Sequence, residues 1–126
     1  MKMKNKCLYC YEALDTSGDF HPACSKKFFG SSAPPQIQYS LDQMTELAKE
    51  VVERSVTVPG VQAKLSMSLI EDSKGKADTR LTVVGALGGQ YILKPPNEHF
   101  PEMPENEHVT MRMAEAMGIQ VIPSSL

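Results

Sequence analysis

The sequence lacks any long apolar run and any strong excess of one charge. Its 126 residues carry a formal net charge of −2, so no global field attracts nucleic acid or acidic lipid. No stretch approaches the roughly 20 apolar residues of a membrane helix. The basic residues 1–6 are not followed by the apolar core of a signal peptide. We therefore expect a cytoplasmic chain that does not span a membrane and does not bind nucleic acid directly.

Cysteine is scarce, and the three in the chain are an odd number that argues against a closed disulfide framework. Together with one histidine they form the pattern C-x2-C-x10-H-x2-C, made of Cys7, Cys10, His21 and Cys24. Ligand pairs at two-residue spacing, with thiolate and imidazole donors, are typical of a structural zinc site without an open position. Two alternatives remain open: small packed cysteines beside a surface histidine, or a redox C-x-x-C pair.

The composition predicts a folded chain, because 41% of the residues are hydrophobic and 22% are charged. We expect a Cys/His-rich zinc-binding segment at 1–30, a Pro- and Ser-rich linker at 31–39, and the main domain at 40–126. The predicted fold class is α+β, with an antiparallel β-sheet flanked by helices and preceded by a small zinc-knuckle-like segment.

The first predicted helix begins after Ser40, which forms a candidate capping box with Gln43. Its apolar positions recur at helical spacing and predict one buried face. That face consists of Leu41, Met44, Leu47, Ala48, Val51 and Val52.

Three strands are predicted after this helix. The clearest alternation of apolar and polar residues runs through 61–69, and shorter strands are expected at 81–84 and 90–94. Gly88 and Gly89 are expected to supply positive φ angles for a tight hairpin turn between the last two strands.

A second long helix is predicted from Pro104 to about Met117, with Gly118 as its C-terminal stop. Its expected inward face is Val109, Met113, Ala114 and Met117. Residues 119–122 are expected to begin another strand.

Part of the main domain has the residue types that grip a nucleoside triphosphate. Gly60 permits a backbone to approach phosphates, Lys94 at a strand end supplies a cation, and Glu107 on the next helix can hold that cation. Lys64 is a candidate second phosphate contact. Each element also has an ordinary explanation, because strand-end lysines are often solvated and glutamate is favoured near a helix N-terminus.

Several strings in this region carry a family resemblance. They are Val58-Pro59-Gly60-Val61-Gln62-Ala63-Lys64-Leu65, Tyr91-Ile92-Leu93-Lys94-Pro95-Pro96, and Glu105-Asn106-Glu107 before Met111-Arg112-Met113-Ala114-Glu115-Ala116-Met117-Gly118-Ile119. The chain resembles the HipA-like serine/threonine kinases, bacterial toxin kinases of toxin–antitoxin systems. The match covers about residues 40–126, and residues 1–30 resemble the start of the short, HipT-type members.

The resemblance implies roles for individual residues in binding ATP, which acts with magnesium in the complete kinase. Gly60, Val61 and Gln62 would belong to the loop beside the phosphates. Lys94 would be the ATP lysine and Glu107 its ionic partner.

The resemblance also implies a regulatory site in the same loop. In this family, hydroxyls near the glycine loop can be autophosphorylated, which switches the kinase off. Thr57 lies at a corresponding position, with Ser55 just upstream. Pro59 stands where relatives can carry a second serine, a departure that argues against regulation at two sites.

The family's catalytic aspartate, its companion asparagine and its metal-binding aspartate are expected beyond Leu126. We therefore expect an N-terminal nucleotide-binding lobe, truncated before the catalytic lobe, with no catalytic residue in this chain and no competence alone. Its expected partners are a HipB-like antitoxin or a separate HipS-like subunit. The alternative is a small zinc-containing module that docks on a partner kinase or antitoxin and regulates it.

Overall fold

The computed structural model describes residues 5–54, 64–71, 79–85, 89–97 and 99–126. Helices and strands both occur within these ranges, so the predicted α+β class is confirmed. In chain order they are α1 (Pro22–Phe29), β1 (Gln36–Ile37), α2 (Leu41–Arg54), β2 (Leu65–Glu71), β3 (Thr79–Gly85), β4 (Tyr91–Leu93) and α3 (Met103–Ala116).

The chain divides into two compact units. One unit combines Met1–Pro34 with Glu105–Leu126, and we call it the knuckle unit. The other is Pro35–Pro104, which we call the sheet unit. The C-terminal residues thus share a unit with the Cys/His segment, an arrangement that the sequence pattern did not indicate.

The sheet unit contains a four-stranded sheet in the order β1-β3-β2-β4. The predicted antiparallel pairing is confirmed for β2, which pairs antiparallel with both β3 and β4. The tight hairpin expected between β3 and β4 is wrong, because β2 lies between these two strands in the sheet. The sheet is mixed, because β1 pairs parallel with β3 through Gln36↔Arg80 and Ile37↔Leu81. Strand β1 falls inside the segment 31–39 that was predicted as a linker.

Helix α2 begins as predicted, with a capping box at its N-terminus. The backbone N–H of Ser40 donates to Gln43 Oε1 at 2.9 Å, and the N–H of Gln43 donates to Ser40 Oγ at 3.2 Å. These two bonds satisfy backbone donors that the first helical turn leaves without partners.

The core of the sheet unit lies between α2 and one face of the sheet. Ala48, Leu65 and Met67 are fully buried, and Leu81 is nearly so. Leu41 is 52% exposed, so the predicted apolar face of α2 is wrong at its first residue. Leu41 lies in the first turn, where the helix has fewer neighbours to pack against.

Gly89 lets the chain approach β2 very closely before β4 begins. Its backbone N–H donates to Ser66 Oγ at 2.7 Å. A Cβ atom at this position would lie 2.5 Å from both Ser66 Oγ and the Met67 carbonyl oxygen. The expected positive φ at Gly89 is wrong, since its φ lies outside the left-handed region. Glycine is needed here for space, and the predicted Gly88 lies outside the described residues.

Helix α3 ends as predicted. Gly118 has a φ of 83°, and its N–H donates to the Glu115 carbonyl at 3.0 Å. The N–H of Ile119 donates to the Ala114 carbonyl at 3.0 Å, which completes the C-terminal cap. Residues 119–122 have no strand structure, so that prediction is wrong.

The predicted inward face of α3 is also wrong. Val109, Met113 and Met117 are 46%, 62% and 78% exposed. The buried residue of this helix is His108, which is 2% exposed. The interior is built from a different side of the helix, because α3 contacts the Cys/His segment through His108 and Arg112. Among the described helices, none combines the length and the apolar character needed to cross a membrane.

Candidate metal centre and predicted nucleotide site

The first ligand pair lies on a short hairpin near the N-terminus. Lys6 and Ala13 form an antiparallel bridge, and the N–H of Cys7 donates to the Glu12 carbonyl at 2.9 Å. The N–H of Tyr11 donates back to the Cys7 carbonyl at 2.9 Å and closes the turn that carries Cys7 and Cys10. This turn brings both sulfur atoms to the same side of the hairpin.

The second ligand pair lies at the start of α1. His21 is the N-cap residue, and Pro22 occupies the first turn, where its missing N–H costs nothing. Cys24 follows within that first turn. The aromatic rings of Tyr9 and Phe28, with centroids 5.7 Å apart, pack the hairpin against the other end of α1.

The four predicted ligands converge. The ligand atoms of Cys7, Cys10, His21 and Cys24 all lie within 4.8 Å of one another. A tetrahedral zinc ion with Zn–S bonds of about 2.3 Å needs sulfur atoms about 3.8 Å apart. His21 Nδ1 lies 3.4 Å from Cys10 Sγ and 3.9 Å from Cys24 Sγ. The donor set and its spacing therefore fit a closed tetrahedral site.

A hydrogen bond on the far side of the histidine ring supports this reading. His21 Nε2 donates to the Ala13 carbonyl at 3.1 Å, which places the proton of a neutral ring on Nε2. The lone pair of Nδ1 is then directed toward the three sulfur atoms. Histidine ligands of metal ions are usually oriented by a hydrogen bond of this kind.

Without a cation, the thiols of Cys7 and Cys24 have shifted pKa values, and the two shifts are in opposite directions. Burial raises the pKa of Cys7, but backbone N–H groups of Cys10, His21 and Tyr9 donate to its sulfur and lower that pKa to about 6. Burial, followed by the neighbouring sulfurs of Cys10 and Cys7, raises the pKa of Cys24 to about 11. The cluster thus accommodates the Cys7 thiolate readily and resists a thiolate at Cys24, and a divalent cation would relieve that repulsion.

The predicted nucleotide residues are described only in part. Lys94 directly follows β4, beside the pairing of Leu65 with Leu93, and its side chain is half-buried. Lys64 directly precedes β2 and is exposed. Glu107 lies in the second turn of α3 and is half-buried.

The other predicted residues of this site lie outside the described residues. They are Gly60, Val61, Gln62 and the regulatory candidates Ser55 and Thr57. Lys94 belongs to the sheet unit and Glu107 to the knuckle unit. Their pairing therefore remains a prediction.

Sequence reasoning missed a contact between the hairpin and α3. The rings of Tyr11 and His108 meet edge to face, with centroids 5.2 Å apart and planes at 69°. His108 Nδ1 hydrogen-bonds Ser124 Oγ at 2.9 Å, while its Nε2 is buried without a hydrogen-bond partner. No local pattern marks His108 as buried, because its partners come from distant parts of the chain.

The comparison with protein families defines the class of this chain. The model of the HipA-like C-terminal domain matches residues 56–126, more than half of the chain. The chain therefore belongs to the HipA-like family, as the sequence motifs predicted.

Two curated relatives are named as kinases. A "Putative kinase" of Haemophilus influenzae is 27% identical over 123 residues, which are 98% of this chain and 31% of that protein. The "Putative kinase Y4mE" of Sinorhizobium fredii is 37% identical over 68 residues, which are 54% of this chain and 15% of that protein. The chain spans less than a third of the length of either relative.

Proposed function

We propose that this chain supplies the N-terminal, nucleotide-binding lobe of a HipA-like serine/threonine kinase of a toxin–antitoxin system. The observation that carries the proposal is the family match over residues 56–126, which includes Lys94 at the end of β4. In this proposal the lobe binds ATP and does not transfer phosphate by itself.

The chemistry of the proposed site is electrostatic. ATP, with magnesium in the complete kinase, supplies the phosphoryl group. The ammonium group of Lys94 would lie beside the phosphates, with Glu107 fixing its position and Lys64 adding a second positive charge. Gly60, Val61 and Gln62 would form the adjoining loop.

Calorimetry of ATP binding to the full chain tests the assignment of Lys94. A hydrogen bond to a charged group contributes about 1.5–3 kcal/mol, so Lys94→Ala should weaken ATP binding about ten- to a hundredfold. The matched control is Lys26→Ala, which removes an exposed lysine of α1 and should leave the affinity unchanged. Equal affinity of the wild type and Lys94→Ala would exclude the assigned role.

Regulation and partners follow from the same proposal. Thr57, with Ser55 upstream, would be the phosphorylated hydroxyl that switches the kinase off, and the partner would be a HipB-like antitoxin or a HipS-like subunit.

The alternative function is a zinc-containing docking module, which is favoured by the exposed apolar side chains of Val109, Met113 and Met117. Tight, ATP-independent binding of purified antitoxin or kinase would favour this module if Met113→Glu abolishes that binding. Weak binding of ATP, without binding of either protein, would favour the nucleotide-binding lobe.

The second element of the proposal is a structural zinc ion held by Cys7, Cys10, His21 and Cys24. The ion would join the hairpin to the start of α1, because each of these elements supplies two ligands. Such a clamp suits a small unit with few buried apolar side chains.

Metal analysis of protein purified without chelator tests the zinc ion. We expect about one zinc per chain in the wild type and a large loss in Cys24→Ser, whose hydroxyl is a poor zinc ligand. The control is Ala23→Ser, which changes an exposed residue beside Cys24 and should keep its zinc. The neighbouring Ser25 is not used as the control, because its hydroxyl donates a hydrogen bond to the Ser31 carbonyl at 2.7 Å. A metal content near zero in the wild type would end this part of the proposal.

A further inference from the structure

We propose that the metal centre positions helix α3 through the contact of Tyr11 with His108. Tyr11 directly follows the ligand Cys10, and His108 directly follows Glu107. The inference rests on the proposed function, in which Glu107 holds the ATP lysine. Tyr11 and His108 are positioning residues in this scheme, because neither is expected to touch the nucleotide or the metal ion.

The backbone of Tyr11 points to a role for its side chain. Its φ of 63° makes it the only non-glycine residue with a positive φ among the described residues. Residues with a Cβ atom are disfavoured about five- to thirtyfold in this conformation, so glycine would suit the turn better. The turn that carries Cys7 and Cys10 is therefore followed by a tyrosine at a position where the local backbone favours glycine.

The ring of Tyr11 makes the contact that glycine would lose. It meets the His108 ring edge to face at 5.2 Å, and His108 is almost fully buried. His108 Nδ1 is in turn hydrogen-bonded to Ser124 Oγ, which links α3 to the C-terminal tail. A non-glycine residue in such a conformation persists only where the surrounding structure holds it, and residues of this kind cluster at functional sites.

The residues between Cys7 and Cys10 contact the same partners. The Arg112 guanidinium of α3 lies 5.9 Å from the centre of the Tyr9 ring. The Leu8 carbonyl accepts hydrogen bonds from the backbone N–H of Leu126 at 3.1 Å and from Ser125 Oγ at 3.2 Å. Every residue of the turn that is not a ligand therefore contacts α3 or the tail. An ion that fixes the turn would also fix the surface against which α3 packs.

Hydrogen exchange of the α3 amides in full-length protein, measured with zinc loaded and after its removal by a chelator, tests this coupling, because removal of the ion should speed exchange in the wild type and change it little in Tyr11→Gly. Tyr11→Gly should keep its zinc, because glycine accepts the positive φ, yet its α3 amides should exchange about two- to tenfold faster without the aromatic pair. Tyr11→Phe keeps the ring and should match the wild type. Tyr11→Ala, which loses the ring and keeps the strain, should show the same fast exchange together with weaker zinc binding.

The outcomes separate the coupling from a merely structural role and from the proposed function. Wild-type exchange rates in zinc-loaded Tyr11→Gly would overturn the coupling, and so would loss of zinc from that variant. Weaker ATP binding in Tyr11→Gly, with restoration in Tyr11→Phe, would support the link to Glu107. If the wild type binds no ATP, the proposed kinase function fails, whereas the exchange data still decide whether the metal centre positions α3.

Discussion

Replacing Gly89 by alanine tests how β4, and with it Lys94, is held against β2. The added methyl group would lie 2.5 Å from the Met67 carbonyl oxygen and from Ser66 Oγ, and 2.7 Å from the Met67 nitrogen. Two of these atoms belong to the backbone of a paired strand, so they cannot rotate away as a flexible side chain would. The chain before β4 must therefore move outward.

The expected loss of stability follows from two effects. Overpacking of this kind costs about 1–3 kcal/mol, and loss of the bond from the Gly89 N–H to Ser66 Oγ adds about 1 kcal/mol. We expect Gly89→Ala to lower the free energy of unfolding by about 2–4 kcal/mol, a large part of the stability of a small domain. Its ATP affinity should also fall, because β4 ends directly before Lys94.

Urea unfolding, followed by circular dichroism, measures the loss, and hydrogen exchange of the β2 amides localises it to the sheet unit. Gly18→Ala is the control, since its nearest neighbour would be Thr16 Oγ1 at an ordinary 3.8 Å. That change should alter stability by less than about 1 kcal/mol. If Gly89→Ala were as stable as Gly18→Ala, the close approach of the chain to β2 would be wrong.

Two further predictions concern the first turn of α2 and the buried histidine of α3. Ser40→Ala should lower the free energy of unfolding by about 0.5–2 kcal/mol because the Gln43 N–H loses its acceptor, and Ser40→Asp should retain most of the stability in the same urea titration. Burial, and then the positive charge of Arg112, lowers the pKa of His108, so the folded protein keeps this ring neutral where the unfolded chain protonates it. The stability due to this group is complete above the unfolded pKa of about 6.5 and declines as pH falls from there toward the lowered folded pKa. His108→Gln should therefore show a smaller loss of stability between pH 7 and 5 than the wild type, and an identical pH profile would contradict the burial of His108.

Features that depend on neighbouring residues were predicted well. The capping box of Ser40 and Gln43 and the stop at Gly118 form as expected, because each involves partners within one helical turn. The four candidate metal ligands also converge as their spacing predicted. Strand β2 itself agrees with the alternating pattern of its residues.

Features that depend on distant partners were predicted poorly. The apolar residues Val109, Met113 and Met117 suggested the wrong inward face for α3, because the Cys/His segment contacts the side that carries His108. The positive φ expected at Gly89 was replaced by a requirement for space, which is visible only when β2 lies beside it.

The amino-acid sequence by itself determined the family, the candidate metal ligands, the start of α2 and the end of α3, since motifs, ligand spacing and caps are written in adjacent residues. The tertiary structure alone decided that β1 runs parallel to β3 and that the C-terminal residues join the Cys/His segment in one unit. It also decided that Tyr11 packs on His108. These contacts join residues far apart in the chain, and their free energy arises only when the whole unit is folded, so no local pattern records them.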